Sequence, residues 1–159
     1  MKTILKALFL LIALSAVPVF AQSDFEATKA RAEAGDATSQ HNLGVMYENG
    51  TGVVQNDQEA VRWYRLAAEQ GLTDGQVALG AMYSNGKGVA KDDQRAYVWF
   101  SIAATTLQSD QRILNSYSYA AQKAPERRDE ARQLLSPQEL EQAQAMATRC
   151  FESNYQDCD

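Results

Sequence analysis

Apolar residues recur at helical spacing in two stretches of the chain that are near copies of each other. In the first stretch, Leu43, Met46 and Tyr47 occupy positions i, i+3 and i+4, which lie on one face of a helix. Residues 43–53 read LGVMYENGTGV, and residues 79–89 read LGAMYSNGKGV. The surrounding windows of 36 residues align without gaps and are identical at 16 positions. A fixed period of this length predicts a stacked repeat.

Each copy predicts two helices joined by a glycine-containing turn. The first helix is predicted to end at Gly50, because glycine takes the left-handed conformation that terminates a helix without steric cost. The second is predicted to begin at Asn56, an N-cap residue whose spacing to Glu59 is that of a capping box. Gly44 and Gly80 fall inside the first helices, where glycine costs about 1 kcal/mol relative to alanine. We interpret both as places where a large aromatic side chain of the partner helix approaches closely.

The repeat predicts an all-α fold, because one hairpin cannot bury both of its apolar faces and each copy must cover the other. The predicted repeat core takes four residues from each copy, namely Leu43, Gly44, Tyr47 and Trp63, then Leu79, Gly80, Tyr83 and Trp99. The predicted segments are a signal peptide (1–21), an N-terminal capping half-repeat (22–35), repeat 1 (36–71), repeat 2 (72–107) and a C-terminal helical cap with a disulfide tail (108–159).

The flanking segments are predicted to be capping helices. Upstream, a capping box at Ser23 predicts a short Ala-rich helix that ends at Ala34. Downstream, the pattern predicts helices over residues 111–122, 126–135 and 137–152. Ser136 is a strong N-cap for the last of these, since proline and glutamate follow at the favoured positions. The packed face of this last helix is predicted to carry Leu140, Ala143, Ala147 and Phe151.

The first 21 residues have the pattern of a secretory signal peptide. Lys2 and Lys6 precede an apolar run, and Ala21 is the small residue after which we expect cleavage. A membrane anchor is the alternative, but the run contains Pro18 and is shorter than the ~20 residues of a spanning helix. We therefore predict a periplasmic or secreted protein that is not inserted in a membrane after cleavage.

The charge of the mature chain bears on its partners. Loss of the two leader lysines leaves 13 basic against 20 acidic residues, a formal net charge of −7. A chain of this charge without a stripe of lysine and arginine lacks the electrostatic footprint of nucleic-acid binding. Composition therefore argues against a nucleic-acid partner.

The two cysteines, Cys150 and Cys158, lie near the C-terminus. Export implies an oxidising compartment, in which such a pair usually forms a disulfide. A metal or redox site is the alternative, but two cysteines alone do not complete a tetrahedral zinc site. The pair is predicted to be a structural disulfide.

Candidate catalytic residues are few. His41 is the single histidine, and the two cysteines lie near the C-terminus. The sequence therefore predicts neither a set of metal ligands nor a catalytic Cys–His pair around it. Ser84 and Lys87 match the Ser-x-x-Lys signature of serine β-lactamases, but the further motifs of those enzymes are missing. We predict a protein that is not an enzyme and that has no cofactor or metal. The alternative is a small exported hydrolase of the cell envelope, β-lactamase-like or acting on the cell wall.

The pattern Leu-Gly-x-Met-Tyr-x-Asn-Gly-x-Gly-Val is followed by Asp-x-x-Ala-x-x-Trp-aromatic-x-x-Ala-Ala in both copies. With these motifs, residues 36–106 resemble the Sel-1-like repeat, a relative of the tetratricopeptide repeat. The resemblance implies a short right-handed α/α solenoid that binds other proteins and has no chemistry of its own. Some members carry a cysteine pair inside each repeat, which this sequence lacks.

Related repeats line the inner face of the curve with their first helices. The outward positions of these helices are the predicted partner-binding residues, His41, Val45, Glu48, Val77, Ala81 and Ser84. Two interpretations stay open: these residues contact the capping helices, or they form a shallow groove for a peptide or helix of another exported protein. The predicted function is an exported protein–protein interaction module, an adaptor or regulator. A self-associating structural protein, in which the apolar stripe of Val45, Val77 and Ala81 forms the contact of a homodimer, is a further alternative.

Overall fold

The computed structural model describes residues 19–109 and 117–158. Most of the predicted signal peptide and half of the predicted helix over 111–122, residues 111–116, lie outside these ranges. The described residues form helices α1 (Val19–Glu33), α2 (Ala37–Asn49), α3 (Asp57–Glu69), α4 (Thr73–Asn85), α5 (Asp93–Ser109), α6 (Tyr119–Gln122), α7 (Ala124–Gln133) and α8 (Pro137–Glu152).

The helices stack in chain order, as the repeated pattern predicts. Helices α2 and α3 form the first hairpin and α4 and α5 the second, and α3 packs against α4 to join them. Helix α1 covers α2 at one end of the stack. At the other end α7 and α8 pack on α5, and the short α6 contacts α4, α5 and α7. The predicted all-α solenoid of two hairpins with capping helices is confirmed.

The glycine turns set the hairpin geometry. Gly50 and Gly86 end α2 and α4 with φ angles of 69° and 66°, in the left-handed region where glycine carries no steric cost. Asn56 caps α3, since its side chain accepts hydrogen bonds from two backbone N–H groups of the first turn. The predicted capping box at Glu59 is wrong. The backbone N–H of Asn56 donates to the Tyr47 carbonyl at 2.9 Å and thereby closes the turn, and Glu59 pairs with a neighbouring arginine instead.

The eight residues predicted for the repeat core lie at the contacts between packed helices. Tyr47 is partly buried, and the other seven predicted core residues are buried: Leu43, Gly44, Trp63, Leu79, Gly80, Tyr83 and Trp99. A Cβ atom added at Gly44 would lie 2.6 Å from ring carbons of Tyr64 on the facing helix. At Gly80 it would lie 2.8 Å from Phe100. Each glycine therefore gives an aromatic ring of its own hairpin room to approach.

The two hairpins meet through small residues. A Cβ atom added at Gly75 of α4 would lie 2.8 Å from the Cβ of Ala67 and 2.9 Å from the backbone nitrogen of Ala68, both in α3. Larger side chains at these positions would push the two repeats apart, because packed interiors have almost no free space. The alanine pair that ends the first repeat motif is thus the surface on which the second hairpin docks.

Two expectations for the caps are wrong. Helix α1 begins at Val19, so Ser23 lies inside the helix and does not cap it. Phe151 is 50% exposed, although we expected it on the packed face of α8. The buried positions of α8 are Ala143 and Cys150, and because Cys150 points inward, the residue after it is turned about 100° away around the helix.

Other expectations for the C-terminal cap hold. Ser136 forms the predicted capping box with Glu139, and both hydrogen bonds of the box are present. Helix α7 begins at Ala124, two residues earlier than predicted, with Pro125 in its first turn, where the missing N–H needs no partner. None of the helices in the described ranges has both the length and the hydropathy of a membrane span.

Candidate functional site

A groove of about 370 Å³ lies where the first helices of both repeats meet the C-terminal cap. Helix α2 contributes His41 and Val45. Helix α4, the equivalent helix of the second repeat, contributes Val77 and Ala81. Four of the six predicted partner-binding residues therefore line one concavity. Its other walls come from Asp74, Ala78, Ser118, Ala120 and Arg127.

Val77 does not lie on a free surface, which corrects its assignment as a partner-facing residue. Only 4% of this residue is exposed, and it belongs to the main hydrophobic cluster. Helix α4 has neighbours on more sides than α2, because α3, α5 and α6 all pack against it. Val45 and Ala81 are partly buried against the same cluster, so they keep some exposed surface in the groove.

His41 lies at the α2 side of the groove. Its ring centroid is 5.6 Å from that of Tyr64, with the two ring planes tilted by 37°. This contact holds the imidazole against the first hairpin and leaves it partly exposed. His41 thus contributes a flat, weakly polar surface to the groove.

Glu48, a predicted partner-binding residue, takes part in an internal network instead of lining the groove. Its carboxylate accepts a hydrogen bond from the Tyr64 hydroxyl at 2.7 Å and another from the Lys87 amine at 2.9 Å. Lys87 also lies 3.7 Å from Asp57. Because Glu48 belongs to repeat 1 and Lys87 to repeat 2, this network ties the two hairpins together.

The network shifts the pKa values of its members. Burial opposes ionisation of Glu48, but the hydrogen bonds from Tyr64 and Lys87 outweigh burial and lower the pKa of the carboxyl. Burial together with the hydrogen bond to Glu48 raises the pKa of Tyr64. The hydrogen bond to Glu48 likewise raises the pKa of Lys87.

The Ser-x-x-Lys match of Ser84 and Lys87 is not arranged for catalysis. A lysine that acts as a general base must be neutral, whereas Lys87 is held in its charged form by Glu48 and Asp57. Ser84 lies in the last turn of α4 and does not line the groove. Within the described ranges, histidine, cysteine, aspartate and glutamate form no group that could hold a metal ion.

The C-terminal cap supplies the groove residues that the sequence did not indicate. The Ser118 hydroxyl donates to the Asp74 carboxylate and so fastens the start of α6 to α4. Arg127 projects from the first turns of α7 and is exposed. Among the groove residues that were not predicted, only Asp74 and Ala78 could have been placed on this face from the sequence, because they precede Ala81 at helical spacing on α4. Contact of this face with the capping helices was one of the two interpretations of the sequence, but the repeat motif did not indicate which residues of the cap would lie here.

A second, smaller pocket of about 270 Å³ lies between α5 and α8. It is lined by the hydroxyl side chains Ser101, Thr105 and Thr148 and by the half-exposed Phe151. None of the predicted partner-binding residues takes part in it.

The predicted disulfide between Cys150 and Cys158 is formed. Both cysteines are buried in the main hydrophobic cluster. The loop that they close places Tyr155 over Gly71, where an added Cβ atom would lie 2.9 Å from the tyrosine ring. Gly71 belongs to the turn between the two repeats, so the disulfide loop holds the C-terminal tail against the repeat junction.

The comparisons agree with this architecture. The family model of the Sel1 repeat matches residues 37–72 and 73–105. The crystal structure of c5321, a protective antigen present in uropathogenic Escherichia coli strains displaying an SLR fold, matches with a TM-score of 0.70 at 30% identity. That match covers 84% of this chain and 27% of the c5321 chain.

A second solved structure, the Sel1 repeat protein from Oxalobacter formigenes, matches with a TM-score of 0.46 at 28% identity, over 62% of this chain and 44% of that one. This chain thus spans less than half the length of either structure. No curated protein matches the sequence.

Proposed function

This chain is a Sel1-like repeat protein, a class whose repeats typically mediate protein–protein interactions, and on that basis we propose that it is an exported interaction module. Its role is that of an adaptor or regulator without catalysis. The partner is another exported protein, which docks a peptide or a helix in the groove between the first helices and the cap.

The groove is the observation that carries the proposal. Two of its apolar side chains, Val45 and Ala81, keep exposed surface although they pack on the main cluster. Exposed apolar surface in a concavity with a polar rim is typical of an interaction site. The groove is also built from both repeats and the cap, so it exists only in the assembled fold.

Two features support export. In residues 23–33 of α1, for which burial is described, the buried side chains are Phe25, Thr28 and Ala32, and all three remain in the chain after cleavage at Ala21. A buried disulfide is typical of proteins that reside in oxidising compartments.

Export is tested by the mass of the protein recovered from the periplasmic fraction or the medium. We expect a chain that begins at Gln22 with Cys150 and Cys158 oxidised. Recovery of the full chain with Met1 from the cytoplasm would contradict this part of the proposal.

Docking is tested by capture from an envelope extract with the mature protein as bait. We expect a specific partner with the wild type and its loss with Val45→Asp, which places a charge in the groove. Val54→Asp is the matched control, because Val54 is 84% exposed and lies outside the groove. Val77→Asp is unsuitable, since it would bury a carboxylate in the core.

The proposal fails if no specific partner is recovered, or if Val45→Asp and Val54→Asp retain it equally. Circular dichroism and urea unfolding of both variants establish that the groove substitution has not unfolded the protein.

A further inference from the structure

The charged groups around the groove differ in their pairing. The Asp74 carboxylate accepts a hydrogen bond from the Ser118 hydroxyl, so part of its hydrogen-bonding capacity is used within the protein. The guanidinium of Arg127 makes neither an ion pair nor a hydrogen bond with any residue in the ranges 19–109 and 117–158. A partner that covers the groove removes water from Arg127, and this costs free energy unless the partner supplies an acceptor.

A carboxylate is the acceptor that fits a guanidinium best. The two groups form paired, charge-assisted hydrogen bonds that are stronger than bonds between neutral groups. The partner is therefore expected to bring an aspartate or glutamate to the cap side of the groove.

The apolar walls indicate the form of this partner. His41 and Val45 are one helical turn apart on α2, and the partly buried Ala78 and Ala81 are three residues apart on α4. Two such rows of side chains form the ridges between which a further helix can lie. The small side chains of Ala78, Ala81 and Ala120 leave room for its aliphatic residues.

The groove volume limits how much of the partner enters. A volume of about 370 Å³ is near the lower end of the range for small-ligand pockets. It suits one or two aliphatic side chains of a helix that lies across the opening, the arrangement by which many amphipathic helices bind grooves.

We propose that the groove binds an amphipathic helix of the partner protein, whose aliphatic residues enter between α2, α4 and α6 and whose acidic side chain pairs with Arg127. This inference rests on the proposed function, since it names the chemistry of the segment that docks there. The chain as a whole carries a negative net charge, so it does not attract an acidic partner over a long distance. The contact with Arg127 therefore acts at short range. It selects the register and orientation of the helix and does not attract the partner from a distance.

The test uses fluorescent helical peptides that share one leucine face and differ at a single flanking position, which is Glu, Gln or Lys. Affinity for the mature wild-type protein is measured by fluorescence anisotropy. We expect the Glu peptide to bind about tenfold more tightly than the Lys peptide, the ratio that corresponds to one charge-assisted contact. Arg127→Glu should reverse this order. Arg132→Glu, an exposed substitution on the same helix and outside the groove, should leave it unchanged.

Two further arms separate the sources of the carboxylate. The Gln peptide is prepared with a free C-terminal acid and with an amide. Tighter binding of the Gln acid than of a Glu peptide with an amidated C-terminus would assign the carboxylate to a chain terminus and overturn the proposal of an acidic side chain.

The failure of this inference is distinguishable from the failure of the proposed function. Peptides that bind the wild type regardless of charge, and lose binding with Val45→Asp, would overturn the role of Arg127 while they support docking in the groove. If no leucine-faced peptide binds, this inference is wrong. The capture comparison of Val45→Asp with Val54→Asp then decides separately whether the groove docks a partner at all.

Discussion

The two tryptophans of the repeat motif occupy equivalent places in their hairpins but have different surroundings. Trp63 packs in a small cluster with Phe25, Ala32 and Leu43, formed by the first hairpin and α1. Trp99 belongs to a much larger cluster, which continues through the second hairpin into α7, α8 and the disulfide. The residue type and its place in the hairpin are the same, and only the neighbouring elements differ.

The first helices show the same difference. Helix α2 has four buried residues, whereas α4, with the same length and motif, has eight. Within residues 19–109 and 117–158, helix α4 lies inside the stack, with α3 on one side and α5 and α6 on the other, whereas α1 is the one helix that packs beyond α2. A repeated motif therefore specifies a hairpin, and its position in the stack decides how much of that hairpin is buried.

The largest expected effect separates the two tryptophans. Substitution of a buried tryptophan by alanine costs about 3–5 kcal/mol, and less where the surroundings can relax into the cavity. We expect Trp99→Ala to lie at the upper end of this range and Trp63→Ala at the lower end, measured by urea unfolding. Phe151→Ala, which removes a half-exposed ring, is the control and should have a much smaller effect. Equal losses for the two tryptophans would contradict the difference between the clusters.

The disulfide is expected to stabilise the second half of the molecule more than the first. Cys150 and Cys158 are eight positions apart, and closing so short a loop contributes about 2–3 kcal/mol in the chain-entropy model. The double substitution Cys150→Ser with Cys158→Ser should lower the free energy of unfolding by that amount. In hydrogen exchange, protection should fall in α8 and at the turn around Gly71, and it should persist in α2. Uniform loss across both hairpins would show that the bridge does not act locally.

The repeat-encoded features of this fold could be predicted from the sequence, because their physical causes are local or appear twice. Gly44 and Gly80 indicate close helix approach in both copies, and Ser136 carries its capping signal in the adjacent residues. The burial of Val77 could not be predicted from its counterpart His41, since it depends on where the cap packs. The same holds for Arg127, which reaches the groove only because α7 folds back along α5.

At the two glycines of the first helices, two effects of a substitution by alanine oppose each other. Gly→Ala gains about 1 kcal/mol of helix propensity, but overpacking a close contact costs about 1–3 kcal/mol. We expect both Gly44→Ala and Gly80→Ala to destabilise the protein by about 1 kcal/mol net. Gly44→Ala should be the worse of the two, because Tyr64 is closer and its hydroxyl is anchored on Glu48.

A double-mutant cycle identifies the cause. Gly80→Ala combined with Phe100→Leu should be less destabilising than the sum of the two single changes, since the smaller side chain relieves the clash. Additive effects would show that the glycine has another role.

The smallest expected effect concerns the Glu48–Lys87 contact between the repeats. Both side chains are partly exposed, and such pairs contribute about 0.2–1 kcal/mol. The pKa of Glu48 is lowered below its ordinary value of 4.5, so its contribution is present above that pH and is lost as the pH falls through the lowered value. Glu48→Gln should therefore reduce stability at neutral pH and weaken the acid-induced loss. Unchanged acid sensitivity would rule out Glu48 as a contributor.

The groove built jointly by both repeats and the cap is where we propose that the partner docks. The most direct test of this proposal is a photo-crosslinking amino acid placed at Val45, inside the groove, and in parallel at the exposed Val54 outside it. The proteins are irradiated in cells that produce them at native level. We expect one crosslinked product from position 45, heavier than the chain by the mass of a single partner protein, and no crosslinked product from position 54. No crosslinked product at position 45, or the same products at both positions, would contradict the proposal.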